Sequence, residues 1–79
     1  MSNNINITAF FEGWPGDPHD HLCNSIFKRH GGEFIGCGTI VAGDKPERDV
    51  EYDVAETSAN ACAAELRANG MRVKRRRRR

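Results

Sequence analysis

The sequence predicts an α+β fold, a ferredoxin-like β-α-β-β-α-β sandwich with two helices on one face of an antiparallel sheet. Three observations carry this. Apolar and polar residues alternate in "NINITAFFEG" and again in "RDVEYDV", which is the period of a half-buried strand. Two other stretches, "HDHLCNSIFKRH" and "ANACAAELRAN", gather apolar residues on one helical face and stop at glycine. One hairpin separates those helices, so each becomes a crossover between two strands.

In chain order, Ile5, Ile7, Ala9 and Phe11 alternate with Asn6, Thr8, Phe10 and Glu12 in the first strand. "WPGDP" then interrupts regular structure. Asp17 is a good N-cap, Pro18 suits the first helical position, and Asp20 favours the helix's positive end. Leu22, Ile26 and Phe27 share a face of this helix, Lys28, Arg29 and His30 lie near its end, and Gly31 and Gly32 stop it. "EFIGCGTIV" is a second strand, which Gly36 and Gly38 either weaken or open to the close approach of another backbone. A turn at "AGDKPE" leads to the third strand, with Val50, Tyr52 and Val54 on one side and Asp49, Glu51 and Asp53 on the other. Thr57 or Ser58 is expected to cap the second helix, whose apolar stripe is Ala59, Cys62, Ala63 and Leu66. After Gly70, Met71 and Val73 face inward from a short last strand. Residues 1–74 are expected to form one acidic domain, and 75–79 a disordered basic tail that folding does not need.

The overall charge conceals this division. The 79 residues carry 12 Lys and Arg against 11 Asp and Glu. Arg72, Lys74 and Arg75 to Arg79 hold seven of the bases, so residues 1–71 keep five bases, all eleven acids and a formal charge of −6. "DKPERDVEYDVAE" alone contains six acids: Asp44, Glu47, Asp49, Glu51, Asp53 and Glu56. On the third strand the carboxylates recur every ~6.6–6.8 Å and point away from the helices, with Glu12 on the same side by parity. RNA-binding sheets of this topology need aromatic residues on that face, and only Phe10 is there, beside acids that repel phosphate. The arginine run has no interleaved aromatics, so it has no means of reading sequence. Direct nucleic-acid binding is not expected.

No P-loop, dinucleotide fingerprint, G-x-S-x-G or H-E-x-x-H occurs, and the protein is expected to be non-catalytic, without cofactor or metal. Acylphosphatases share the expected topology but need an arginine in the loop after strand one, which here reads "GWPGDPHD". His19, His21, Cys23 and His30 lack the paired spacing of zinc ligands. Cys37 and Cys62 are expected to fill core space, and Trp14 to pack over the sheet edge rather than serve as an exposed binding anchor. Three cysteines without paired spacing, no apolar stretch of membrane-spanning length and no secretory signal fit a reducing cytoplasm.

A small acidic domain of this kind reads as a monomeric binding protein whose partner has a basic, nucleic-acid-binding surface. With "DKPERDVEYDVAE" and no enzyme motif, the whole chain resembles the small phage- or prophage-encoded anti-CRISPR inhibitors, several of which imitate DNA in charge. That resemblance implies inhibition of a type I Cas surveillance complex in a bacterial host cell, at its protospacer-adjacent-motif (PAM) site. Asp44, Glu47, Asp49, Glu51, Asp53 and Glu56 are the expected contacts. The alternative from the same sequence is a small nucleic-acid-binding accessory protein that uses its arginine-rich C-terminus.

Overall fold

Strand β1 (Asn4–Glu12) occupies the middle of the sheet, and its alternating pattern buries one face. A computed structural model of the chain describes residues 4–77, apart from the side chain of Ala42. On one side β1 pairs antiparallel with β3 (Lys45–Ala55), and on the other with β4 (Arg72–Arg77). β2 (Glu33–Ala42) pairs with the outer side of β3, so the order is β2-β3-β1-β4. Helix α1 (Pro18–Arg29) connects β1 to β2, and α2 (Glu56–Ala68) connects β3 to β4. The fold is therefore α+β, a four-stranded antiparallel sheet with two helices.

Register decides which face is buried. Ile5 stands opposite Val54, Ile7 opposite Tyr52 and Ala9 opposite Val50. Directly opposed residues share a face, so these six build one apolar surface. Cys23, Ile26 and Phe27 of α1 and Ala59, Cys62 and Leu66 of α2 close over it, with Leu22 and Val73 packed at the margin. The Phe27 ring stacks on Tyr52 at 4.3 Å, and the Tyr52 hydroxyl donates to Asn24 Oδ1 at 2.6 Å. Burial pushes the Cys23 thiol up to about 12 and the Cys62 thiol up to about 11, so both stay protonated core groups. Gly32 permits the tight return from α1: a Cβ there would stand 2.9 Å from the Phe27 carbonyl oxygen and 3.0 Å from the Tyr52 ring. No helix of the described residues is long and apolar enough to cross a membrane.

Asp17 caps α1 as expected, accepting from the His19 N–H at 3.0 Å, with Pro18 in the first turn. The second cap differs. α2 starts at Glu56, directly after β3, and its N-cap is Ala55 with no side-chain bond, so neither Thr57 nor Ser58 caps it. No loop intervenes in which a hydroxyl could sit outside the first turn, and the Glu56 carboxylate supplies negative charge at the positive helix end. Cys37 does not fill core space: it is exposed on β2. Trp14 is 56 % exposed and does not pack over the sheet edge.

One buried ion pair ties four segments together. Arg48, opposite Phe11 and only 6 % exposed, points to the helix side of the sheet. Its Nη2 and Nε donate to Asp20 Oδ1 at 3.0 and 3.3 Å, and its Nη1 donates to the Gly38 carbonyl at 3.2 Å and to Thr39 Oγ1 at 2.9 Å. The other Asp20 oxygen accepts from the Gly16 N–H at 3.1 Å. Burial, the largest single influence, opposes the Arg48 charge, but Asp20 and Cys37 together outweigh it and hold the guanidinium pKa above its ordinary value. The β1–α1 loop, α1, β2 and β3 thus share one charge pair.

Leu66→Ala should cost about 2–5 kcal/mol in urea unfolding, because Leu66 is fully buried between α2 and the sheet. Asp20→Ala should cost about 3–5 kcal/mol by leaving Arg48 buried without its counter-charge, and Arg48→Met added to it should recover part of the loss. A double variant that loses the sum of the Asp20→Ala and Arg48→Met single losses would show that the pair is not coupled.

Candidate functional site

The face away from the helices is built by the parity that buries the other. On β1 it displays Asn6, Thr8, Phe10 and Glu12, opposite Asp53, Glu51, Asp49 and Glu47 of β3. On the other side of β1, Asn6, Thr8 and Phe10 stand opposite Arg76, Lys74 and Arg72 of β4. An acidic strand and a basic strand therefore flank a neutral one. They are two strand spacings apart, ~9.4–9.8 Å. Between them lies a shallow groove of about 230 Å³, lined by Asn6, Thr8, Phe10, Asp49, Glu51, Lys74 and Arg76.

The six expected carboxylates do not act alike. Asp49 is partly exposed, makes no ion pair among the described residues, and leans across β2: a Cβ on Gly38 would stand 3.0 Å from its Oδ1. Gly38 is thus the close approach that the sequence suggested, made by a side chain rather than by a backbone. Glu51 accepts from Asn6 Nδ2 at 2.6 Å and stays partly exposed. Glu47 is exposed and ion-paired with Arg72, whose guanidinium lies over the Phe10 ring at 5.4 Å. Asp44 is exposed in the β2–β3 turn, near the end of the row.

Two of the six leave the expected surface. Asp53 is only 8 % exposed and accepts from the buried Asn6 at 3.2 Å, so it helps to hold Asn6 in place. Glu56 opens α2 and accepts from Arg77 Nη2 at 2.8 Å, on the helix side of the sheet. The accessible acidic strip is accordingly Asp44, Glu47, Asp49 and Glu51, continued by exposed Glu12 opposite Glu47.

The basic segment differs more. β4 continues through Arg75–Arg77, pairing these residues with Ile7, Asn6 and Ile5, so the expected boundary after residue 74 falls inside a strand. Arg78 and Arg79 lie outside the described residues. Arg75 donates to Asn60 Oδ1 at 2.7 Å and Arg77 to Glu56, so α2 holds the helix-side arginines and offsets their mutual repulsion. Arg72, Lys74 and Arg76 are left on the open face. The sequence signal for this was parity: extending the inward Val73 by two and four residues assigns Arg75 and Arg77 to one face and Arg76 to the other.

A further cluster of ionisable groups joins the end of α1 to α2. His30 follows α1, and its Nε2 lies 2.8 Å from Glu65 Oε1, while Arg29 contacts the other Glu65 oxygen at 2.5 Å. The His30 hydrogen bond, with Arg29, holds the Glu65 carboxyl below the usual range. No group of three or more His, Cys, Asp and Glu among the described residues is placed to hold a metal ion. Compared with known proteins, the chain matches no family model and no curated sequence.

Removal of residues 75–79 should lower the thermal midpoint by about 4 °C or more, since half of β4 and its contacts to α2 go with them. A midpoint unchanged by the truncation would restore the segment to a tail. Calorimetry on both chains decides this.

Proposed function

We propose that this protein is a non-catalytic inhibitor that occupies the nucleic-acid groove of a basic DNA-binding protein with its acidic strip. The target class is a type I Cas effector complex, blocked at DNA (PAM) recognition in the bacterial cytoplasm, as the resemblance to anti-CRISPR proteins implies. The observation that carries the reading is the run of accessible carboxylates along β3, Glu47, Asp49 and Glu51, extended by Glu12 and Asp44. Alternate strand residues recur every ~6.6–6.8 Å, close to twice the 3.4 Å per charge of one DNA strand. The strip therefore offers about one negative charge for every two nucleotides. Its cationic neighbour β4 stands about one screening length away at physiological salt, and Arg72 reaches across to Glu47, which leaves Asp49 and Glu51 as the strip's charges on β3 without an ion pair among the described residues. In this reading the fold is a ferredoxin-like sandwich, and the order β2-β3-β1-β4, with a helix crossing between parallel strands in each half, supports that.

The ordered cationic strand favours a second reading. Lys74 and Arg76 make no ion pair among the described residues and line the groove beside Thr8. A small accessory protein could lay nucleic-acid phosphates along them, with binding that falls steeply as salt rises.

A type I Cas complex offered a PAM-bearing duplex should lose DNA as this protein is added, and DNA should displace the protein in return. Asp49→Lys with Glu51→Lys should weaken the protein's binding at least ~10-fold, since close charge pairs at an interface are worth up to several kcal/mol. Circular dichroism checks that the fold is kept. A complex holding DNA and this protein together, or a double variant that binds like the parent, would contradict the inhibitor. A gel shift with duplex or single-stranded DNA alone, abolished by Lys74→Glu with Arg76→Glu, would favour the second reading.

A further inference from the structure

We propose that two copies of this chain associate through their β2 strands, pairing antiparallel about a two-fold axis to form one eight-stranded sheet. β2 is the outermost strand, and no described strand pairs with its outer side. An open edge presents unpaired N–H and C=O groups, and edges that must stay single usually carry lysine, proline or other charge. The opposite edge has that protection, with charged residues at five of the six positions of β4. β2 has no charge or proline from Phe34 to Ala42, and its one irregularity, a register shift between Phe34 and Gly36, leaves Gly36 to Ala42 in regular pairing with β3.

Side chains point the same way. Of the five large apolar residues exposed among those described, four are on β2: Phe34 (52 %), Ile35, Ile40 (62 %) and Val41 (53 %). α1 packs on β3 and α2, and α2 on β1, β3 and β4, so the helices leave this edge uncovered. The area is too small for a permanent dimer, and a dissociation constant of about micromolar order is expected.

The shape of the strand selects a second copy as the occupant. With Gly38 opposite the partner's Gly38, alternation puts Ile40 opposite the partner's Gly36 on the open face. No atom lies within 4 Å of where a Gly36 Cβ would stand, so the open face has an unfilled notch there. Ile40, the most exposed large apolar residue described, fills it, and symmetry makes the match twice. The same pairing brings Glu33 to the end at which the partner's Lys45 emerges, beside the partner's Asp44. The two acidic rows would run antiparallel, three strand spacings or ~14–15 Å apart. Salt at ~0.15 M screens charges over ~8 Å, so their repulsion does not forbid the pairing, and more salt should tighten it.

Sedimentation equilibrium of the full chain from about 5 µM to 1 mM should show a monomer–dimer equilibrium that tightens at higher salt. A short bis-maleimide should link the copies through Cys37, since Cys23 and Cys62 are buried. Ile40→Lys should dissociate the dimer by placing charge on the edge, and Gly36→Val should do so without charge by filling the notch. Lys74→Ala, on the opposite edge, should leave the equilibrium unchanged. A single-chain mass at every concentration would overturn the proposal. So would a dimer that survives both β2 substitutions, or one that Lys74→Ala disrupts, which would indicate head-to-tail pairing.

Discussion

The pairing of β1 with its two neighbours is the constraint on which the rest of the molecule depends. Side chains alternate across a sheet, so with Ile7 kept under the helices a slip of one residue between β1 and β3 would carry Tyr52 to solvent and bring a carboxylate of β3 into the core. The loss of apolar burial fixes the register. Once fixed, it leaves the carboxylates of β3 nowhere to go but the open face. Asn6 reinforces this from the polar side: buried on β1, it spends its amide donors on Glu51 and Asp53. The same strand then receives β4, and so places a row of cations on the same face. Core and charge pattern are two results of one register.

That arrangement changes what the charge distribution means. An acidic body with a loose basic tail could neutralise itself in many ways. An acidic strand and a basic strand are held apart by β1, and among the described residues Arg72 crosses the gap, over Phe10, to reach Glu47. Asp49, Glu51, Lys74 and Arg76 therefore remain available at fixed spacing. Unneutralised charge at fixed backbone spacing suits recognition by a partner of opposite charge, because no internal ion pair has to be broken on binding. It also explains why β4 needs α2: the arginines that face the helix side have Asn60 and Glu56 as partners there.

Much of the fold was legible in the sequence because short-range rules agreed with one another. Ile5, Ile7, Ala9 and Phe11 declared β1, Val50, Tyr52 and Val54 declared β3, and Asp17 with Pro18 marked the start of α1. The failures occur where long-range contacts decide. Arg75–Arg77 look like a solvated charge run until β1 and α2 supply partners that no local pattern contains. Asp20 looks like a residue that only favours a helix start, yet it holds Arg48 at a distance of 28 residues. Asp53 and Glu51 have the same parity and residue class, and only the packing around Asn6 makes one buried and the other accessible. The acidic strip itself was legible. Its basic counterpart on the same face was not.

The most direct test of this account is the set of cross-strand contacts that β1 makes in solution, read from nuclear Overhauser effects on the isotope-labelled full chain. The account predicts contacts from Asn6 and Thr8 to Asp53 and Glu51 on one side, and from the same two residues to Arg76 and Lys74 on the other. Coil-like shifts for Lys74 to Arg77, with no contact to β1, would contradict it. The face would then be acidic alone, and the separation of charge on which the account rests would not exist.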